Sequence, residues 1–282
     1  MTSLIYTQKF NLTDTYFLIA GIASINPKIA TINSVTFAQF AIQVGLQHEI
    51  DAREMPTNLS TGYIPLGSTG PAEYPRYVFG TEVFELNDGL RLLAADLASN
   101  VTLNDTDDAI VYRTHYYTSD KVFQEGTAPP TVVLCDSITS DVWFSGSKLA
   151  ESFDVYARLI SNGKATYCSA AQEDNAILAA LFRGAKGNLV DFNRIIVMRS
   201  GSDFDRPYRG QAPEQNLFWP QTGGHGAALK NLYLAGAPVI KAIITDWNAR
   251  FEKGIVANNY VGDILGTLGG TPDFGPSAGK PQ

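Results

Sequence analysis

Tyr16-Phe17-Leu18-Ile19-Ala20-Gly21-Ile22-Ala23 is an unbroken apolar run that ends in small residues and is soon followed by Asn26-Pro27. A strand with one wet face alternates polar with apolar residues. A run without alternation is buried on both faces, as in a parallel sheet covered by helices. The run therefore sets the expectation of an α/β protein. Downstream, Ser34 to Gln43 mixes β-branched and aromatic residues in near alternation, a second strand with Gln39 and Gln43 on the wetter side. Arg53 to Tyr77, rich in Pro, Gly, Ser and Thr, reads as a long surface excursion.

From Thr81 to Ser99, Val83, Phe84, Leu86, Leu90, Leu93 and Leu97 recur at helical spacing, and Asn100 supplies a stop. Thr131 to Cys135 reads as a short strand and Gly146 to Ile160 as a helix closed by Asn162-Gly163. Ala165 to Ala170 is then a strand, Glu173 to Gly184 a helix and Arg194 to Arg199 a strand, which predicts a right-handed crossover between parallel strands. Ala227 to Phe251 is helical but should break near Gly236-Ala237-Pro238. Residues 1–262 form the expected α/β domain, and 263–282 a Gly- and Pro-rich tail with little to bury.

With 45% hydrophobic and 17% charged residues, the 282-residue chain has the mixture of a globular protein rather than a disordered one. A net charge of −7 leaves no excess of Lys or Arg for a phosphate backbone, so nucleic acid is excluded as a partner. A small neutral or weakly anionic ligand fits the charge. A span needs about 18–20 apolar residues, and the run at Tyr16 is less than half of that, so no membrane span is expected. Met1 to Phe10 lacks the apolar block of a secretory signal, while Asn11, Asn58, Asn100 and Asn104 each open a glycosylation sequon that would matter only in a secreted protein. The compartment stays open. Cys135 and Cys168 read as two buried free thiols, with one disulfide as the alternative.

Ligands of open α/β sheets collect at the carboxyl ends of the strands, where loops and helix amino termini converge. Three such ends carry suggestive groups. Gly21-Ile22-Ala23-Ser24 is small enough to admit a ligand to the main chain, or to pack strand on helix. Ala171-Gln172-Glu173-Asp174-Asn175 is a polar cluster richer than helix capping requires. Ser202-Asp203-Phe204-Asp205-Arg206 places a carboxyl group at the mouth of a buried strand, where desolvation raises its pKa and suits it to general acid work. His48, His115 and His225 lack metal-ligand spacing, and no P-loop, nucleophile elbow or complete dinucleotide fingerprint occurs, so no metal or resident cofactor is expected.

On these stretches, together with Glu49 to Pro56, Phe79 to Phe84, Ser140 to Gly146, Asn259 to Asp263 and Gly269 to Phe274, the sequence resembles the purine nucleoside permease family of fungi. That family is itself similar to the nucleoside phosphorylases. The resemblance implies a three-layer α/β/α nucleoside phosphorylase-like fold with a mainly parallel central sheet. It implies a nucleoside as ligand, self-association, and cleavage of the N-glycosidic bond of purine nucleosides by water or with phosphate as co-substrate. Asp203 then acts as acid to the base. Glu173 holds the ribose hydroxyls, with Gln172, Asn175, Ser202, Phe204, Gly21 and Ala23 lining the site. The chain starts almost at the Thr15 block, so the amino-terminal part of that fold is expected to be missing, and Ser24 stands where the family usually has Gly. The alternatives are a nucleoside-binding protein linked to uptake and a shortened, silent relative.

Overall fold

The computed structural model describes residues 1–7, 9–118 and 121–275. Its strands are β1 (Phe17–Ile25), β2 (Val35–Ala38), β3 (Phe40–Gln43), β4 (His48–Glu49), β5 (Tyr63–Ile64), β6 (Val83–Glu85), β7 (Val132–Leu134), β8 (Asp136–Thr139), β9 (Tyr167–Ala171), β10 (Ile195–Phe204) and β11 (Gly262–Asp263). The helices are α1 (Thr2–Tyr6), α2 (Asp88–Ser99), α3 (Asp107–Thr114), α4 (Ser147–Ile160), α5 (Asp174–Lys186), α6 (Pro213–Phe218) and α7 (Gly224–Thr245).

The run that opens the sequence is β1, and its parallel ladder with β10 is the longest in the molecule, from Phe17↔Ile195 to Ile25↔Phe204. Helices cover both faces of this pair. Phe17, Ile19, Ile195 and Val197 pack with Leu178 and Leu181 of α5, while Ile196 and Met198 pack with Leu90 and Ala94 of α2 and Ala235 and Val239 of α7. Residues of opposite parity thus serve opposite layers, so both faces of the strand are apolar. The three-layer expectation is met here.

The nine-stranded sheet is mixed and nearly closed. Its order is β11-β6-β3-β8-β9-β1-β10-β2-β7. Only Gln39 separates β2 from β3, and only Cys135 separates β7 from β8. β2 pairs with β7, and β3 with β8, both parallel, so these two bent strands run side by side through both halves. β10 joins the first half and β9 the second, and β1 bridges β10 to β9. The pairings therefore form a ring.

Asp136 sits at the bend of both long strands and is 5% exposed. Its Oδ1 accepts from the backbone N–H of Gln39 (3.0 Å) and Phe40 (2.8 Å), and its Oδ2 from that of Thr166 (2.7 Å). One carboxylate so satisfies two donors at the β2–β3 break and one just before β9. Burial nevertheless pushes its pKa up, against the lowering effect of these bonds.

Several sequence expectations need correction. β9 meets β1 antiparallel at Ser24↔Ala170 and Ile25↔Ser169, so β9 and β10 run in opposite directions rather than as a parallel crossover. Ring closure, which the local strand–helix–strand pattern does not encode, sets this direction. The stretch from Thr81 holds β6 before α2 begins, because Asn87 caps α2 by accepting from the N–H of Leu90 at 3.1 Å. Cys135 and Cys168 are joined in a disulfide, with Cα atoms 5.7 Å apart. The tail is not idle: Ile264 and Phe274 are buried at 1% and 0% exposure, whereas 276–282 lie outside the described residues.

α7 also differs from expectation, since it runs unbroken through Pro238. Its 22 residues make it long and apolar enough to cross a membrane by length and composition, with 33% of the relevant window buried in the protein. The reading of no membrane span counted uninterrupted apolar runs, which Gly, Lys and Asn break here; a helix packed on a protein core passes the same length and composition test. Its inner side contacts β10, where the methyl carbon of Met198 lies 3.2 Å from the position a Cβ on Gly236 would take. Its outer side exposes Leu229, Tyr233, Ile240 and Ile244.

Candidate active site

The carboxyl ends of β1, β9 and β10 converge as the sequence predicts. One row across the sheet holds Ala170, Ser24 and Asp203. Three residues back along β1, roughly 10 Å at about 3.3 Å per residue, Gly21 pairs with Arg199. Glu173 joins this second row through Arg199, whose Nη2 lies 2.9 Å from the Glu173 Oε2. Residues three apart on a regular strand face opposite sides. The register shift between Ala23 and Ser24 lies on the β10 side of the pair, where one extra residue is inserted.

The shift comes from Ser202, which has no partner on β1: Ala23 pairs with Gly201, and Ser24 with Asp203. Asp203 therefore stands beside Ser24, which donates its hydroxyl to Asp203 Oδ1, while the Ser202 hydroxyl donates to Oδ2 at 2.8 Å. Burial pushes the Asp203 pKa up, and it outweighs the lowering effects of the two serines and of His225; Asp205 adds a raising effect. A carboxyl group that keeps its proton at higher pH than usual is suited to giving one away.

Around the other row, Asp174 is fully buried and receives the Arg199 Nε at 3.1 and 3.2 Å and the Ser137 hydroxyl at 2.6 Å. Glu173 is the outer partner of Arg199, with its side chain 56% exposed. Burial works against the charge of Arg199, but the two carboxylates outweigh it and raise its pKa. The inner acid thus anchors the cation, and the cation holds the outer acid at the solvent-exposed edge.

The remaining sequence-derived site residues fall into two groups. Ser202 holds Asp203, and Gln172 lies half-exposed in the turn before Glu173. The others are turned to structural work. Asn175 is buried: its Nδ2 donates to the carbonyls of Ala41, Thr81 and Glu82, and its Oδ1 accepts from Thr139 at 2.8 Å. Phe204, 1% exposed, packs among Tyr112 and Tyr116, with ring centroids 6.4 and 4.2 Å away. Gly21 is needed because a Cβ there would stand 2.3 Å from Arg199 Nη1, so the guanidinium fills the space assigned to a ligand. Ala23 is 5% exposed.

The sequence reading gave Arg199 no role and took Ser24 only as part of the small Gly21–Ser24 strand end. A charge within a buried strand requires a buried counter-charge, a signal that Arg199 carried in the sequence. Among the described residues no group of three or more His, Cys, Asp or Glu is placed to hold a metal ion. Asp205 does not join the site: Arg206 binds it at 2.8 and 3.0 Å, and Tyr167 donates to it.

The chain is 44% identical over 283 residues to a purine nucleoside permease of Candida albicans strain SC5314, covering 98% of the chain and 68% of that relative. It is 36% identical over 258 residues to a probable purine nucleoside permease of Schizosaccharomyces pombe, covering 87% of the chain and 72% of the relative. Among solved structures, a 5'-methylthioadenosine/S-adenosylhomocysteine nucleosidase from Neisseria meningitidis matches 86% of the chain and 74% of its own, with a TM-score of 0.45 and 12% identity. A futalosine hydrolase of Helicobacter pylori matches 84% and 73%, with a TM-score of 0.42 and 16% identity. The model of the family described as purine nucleoside permease matches residues 1–256, and with these two relatives it shows that the chain belongs to that family.

Proposed function

We propose that this chain cleaves the N-glycosidic bond of purine nucleosides, with Asp203 as the acid to the leaving base and Glu173 as the ribose anchor. The observation that carries the reading is the Asp203 carboxyl, near the carboxyl end of β10 and held by Ser202 and by Ser24 of β1, with its pKa raised by burial. As the bond breaks, its electron pair leaves with the base and positive charge develops on the sugar. Asp203 gives its proton to a base nitrogen, so the base departs neutral. The oxygen of water or phosphate then bonds to the sugar carbon; an attacking water gives up one proton to solvent, and the Asp203 carboxylate takes one back from solvent to complete the cycle. Glu173, exposed yet fixed by Arg199, accepts hydrogen bonds from sugar hydroxyls.

The test is release of free base from adenosine or guanosine, with and without phosphate. Asp203→Asn should lower the rate by about 10²–10⁴-fold, the range for one general acid. Glu173→Gln should lower kcat/KM on the order of 10–100-fold, as for a hydrogen bond to a charged group. Equal rates in wild type and Asp203→Asn would refute the assignment.

A second reading, a nucleoside-binding protein linked to uptake, is favoured by the names of the relatives. It predicts saturable nucleoside binding in calorimetry with the ligand recovered uncleaved.

A further inference from the structure

We infer that Ser24 is a positioning residue for Asp203: its hydroxyl and that of Ser202 clamp the two carboxylate oxygens and hold the acid in one orientation. The inference rests on the reading of Asp203 as the acid.

Three features build the clamp. The extra residue Ser202 shifts the register so that Asp203, and not Ser202, becomes the neighbour of Ser24 on β10. Ser24 donates to Oδ1 and Ser202 to Oδ2, so each oxygen has its own donor from a different strand. Ser202 is in turn immobilised from behind. Its carbonyl accepts the Thr222 hydroxyl at 2.8 Å, and α7 starts so close to it that a Cβ on Gly224 would lie 2.4 Å from that oxygen. β1 therefore holds one carboxylate oxygen directly, and the start of α7 steadies the residue that holds the other.

A hydroxyl donor favours the ionised carboxylate, whereas burial favours the protonated one. The charged and titratable neighbours of Asp203 are Asp205 on the same strand, His225 at the start of α7, and the phenols of Tyr112 and Tyr116 from α3 and the turn after it. A change at Ser24 leaves all of these in place. Removing its donor must then move the Asp203 titration upward, and a hydroxyl restored at that position must move it back.

The experiment is ¹³C NMR titration of the Asp203 side-chain carboxyl in wild type, Ser24→Ala and Ser24→Thr, beside the pH profile of base release. Asp203→Asn assigns the resonance and gives the activity background. We expect Ser24→Ala to move the titration midpoint to higher pH and the alkaline limb of the rate profile with it, while Ser24→Thr follows wild type in both. Coincident titrations of wild type and Ser24→Ala would overturn the clamp. A shifted titration with full activity in Asp203→Asn would instead refute the acid, and with it the role of Ser24 in positioning one.

Discussion

Asp203 makes a definite statement about pH. Its folded-state pKa is raised by burial, so the native protein holds this proton more tightly than the unfolded chain does. The associated stability is fully present below the ordinary carboxylate range and is lost as pH rises through the raised value. Activity that needs the protonated acid should fall over the same interval, so the alkaline limb of kcat/KM should lie above the ordinary carboxylate range and vanish in Asp203→Asn. Arg199 makes a statement about stability. Asp174→Ala would leave the buried guanidinium with the exposed Glu173 as its charged partner and the Ile22 carbonyl as a neutral one, at a cost of about 3–5 kcal/mol in chemical denaturation. The sequence singles out Glu173 and Asp203 because polar clusters after buried strands are conspicuous. Asn175 and Phe204 were not separable from them, since a sequence does not reveal which residues of a cluster turn inward.

The elements were legible as periods and illegible as directions. β1, α4, α5 and β10 follow from apolar patterning, yet nothing in that patterning encodes the antiparallel meeting of β9 with β1 or the ring closed by the two bent strands. Those depend on contacts distant in sequence, and Asp136 is the residue that joins them. In Asp136→Asn an N–H₂ replaces the oxygen that accepts from Thr166. The orphaned donor should cost about 1–3 kcal/mol by urea denaturation. Proline 238 shows the opposite failure, a local breaker overridden because α7 is held on β10 by Ala235, Gly236 and Val239.

At the scale of the molecule, composition was right about a globular chain, the Tyr16–Ala23 run about an α/β fold, and the family resemblance about membership. It could not show that the end of the chain returns to the core through Ile264 and Phe274, because two apolar residues among glycines leave no periodic trace. The disulfide was equally unreadable from two cysteines alone. It closes a loop of 33 residues between the β7–β8 bend and β9. Reduction should therefore lower the unfolding free energy by about 3–4 kcal/mol on the chain-entropy account, measured by denaturation with and without reductant.

The central claim is that the rows of Glu173 and Asp203 serve one nucleoside, and a crystal structure with a non-cleavable purine nucleoside analogue tests it most directly. The account predicts a base nitrogen within hydrogen-bonding distance of the Asp203 carboxyl and ribose hydroxyls on Glu173 in the same molecule of ligand. An analogue bound at one carboxylate with the other beyond its reach, or seated elsewhere on the protein, would contradict it.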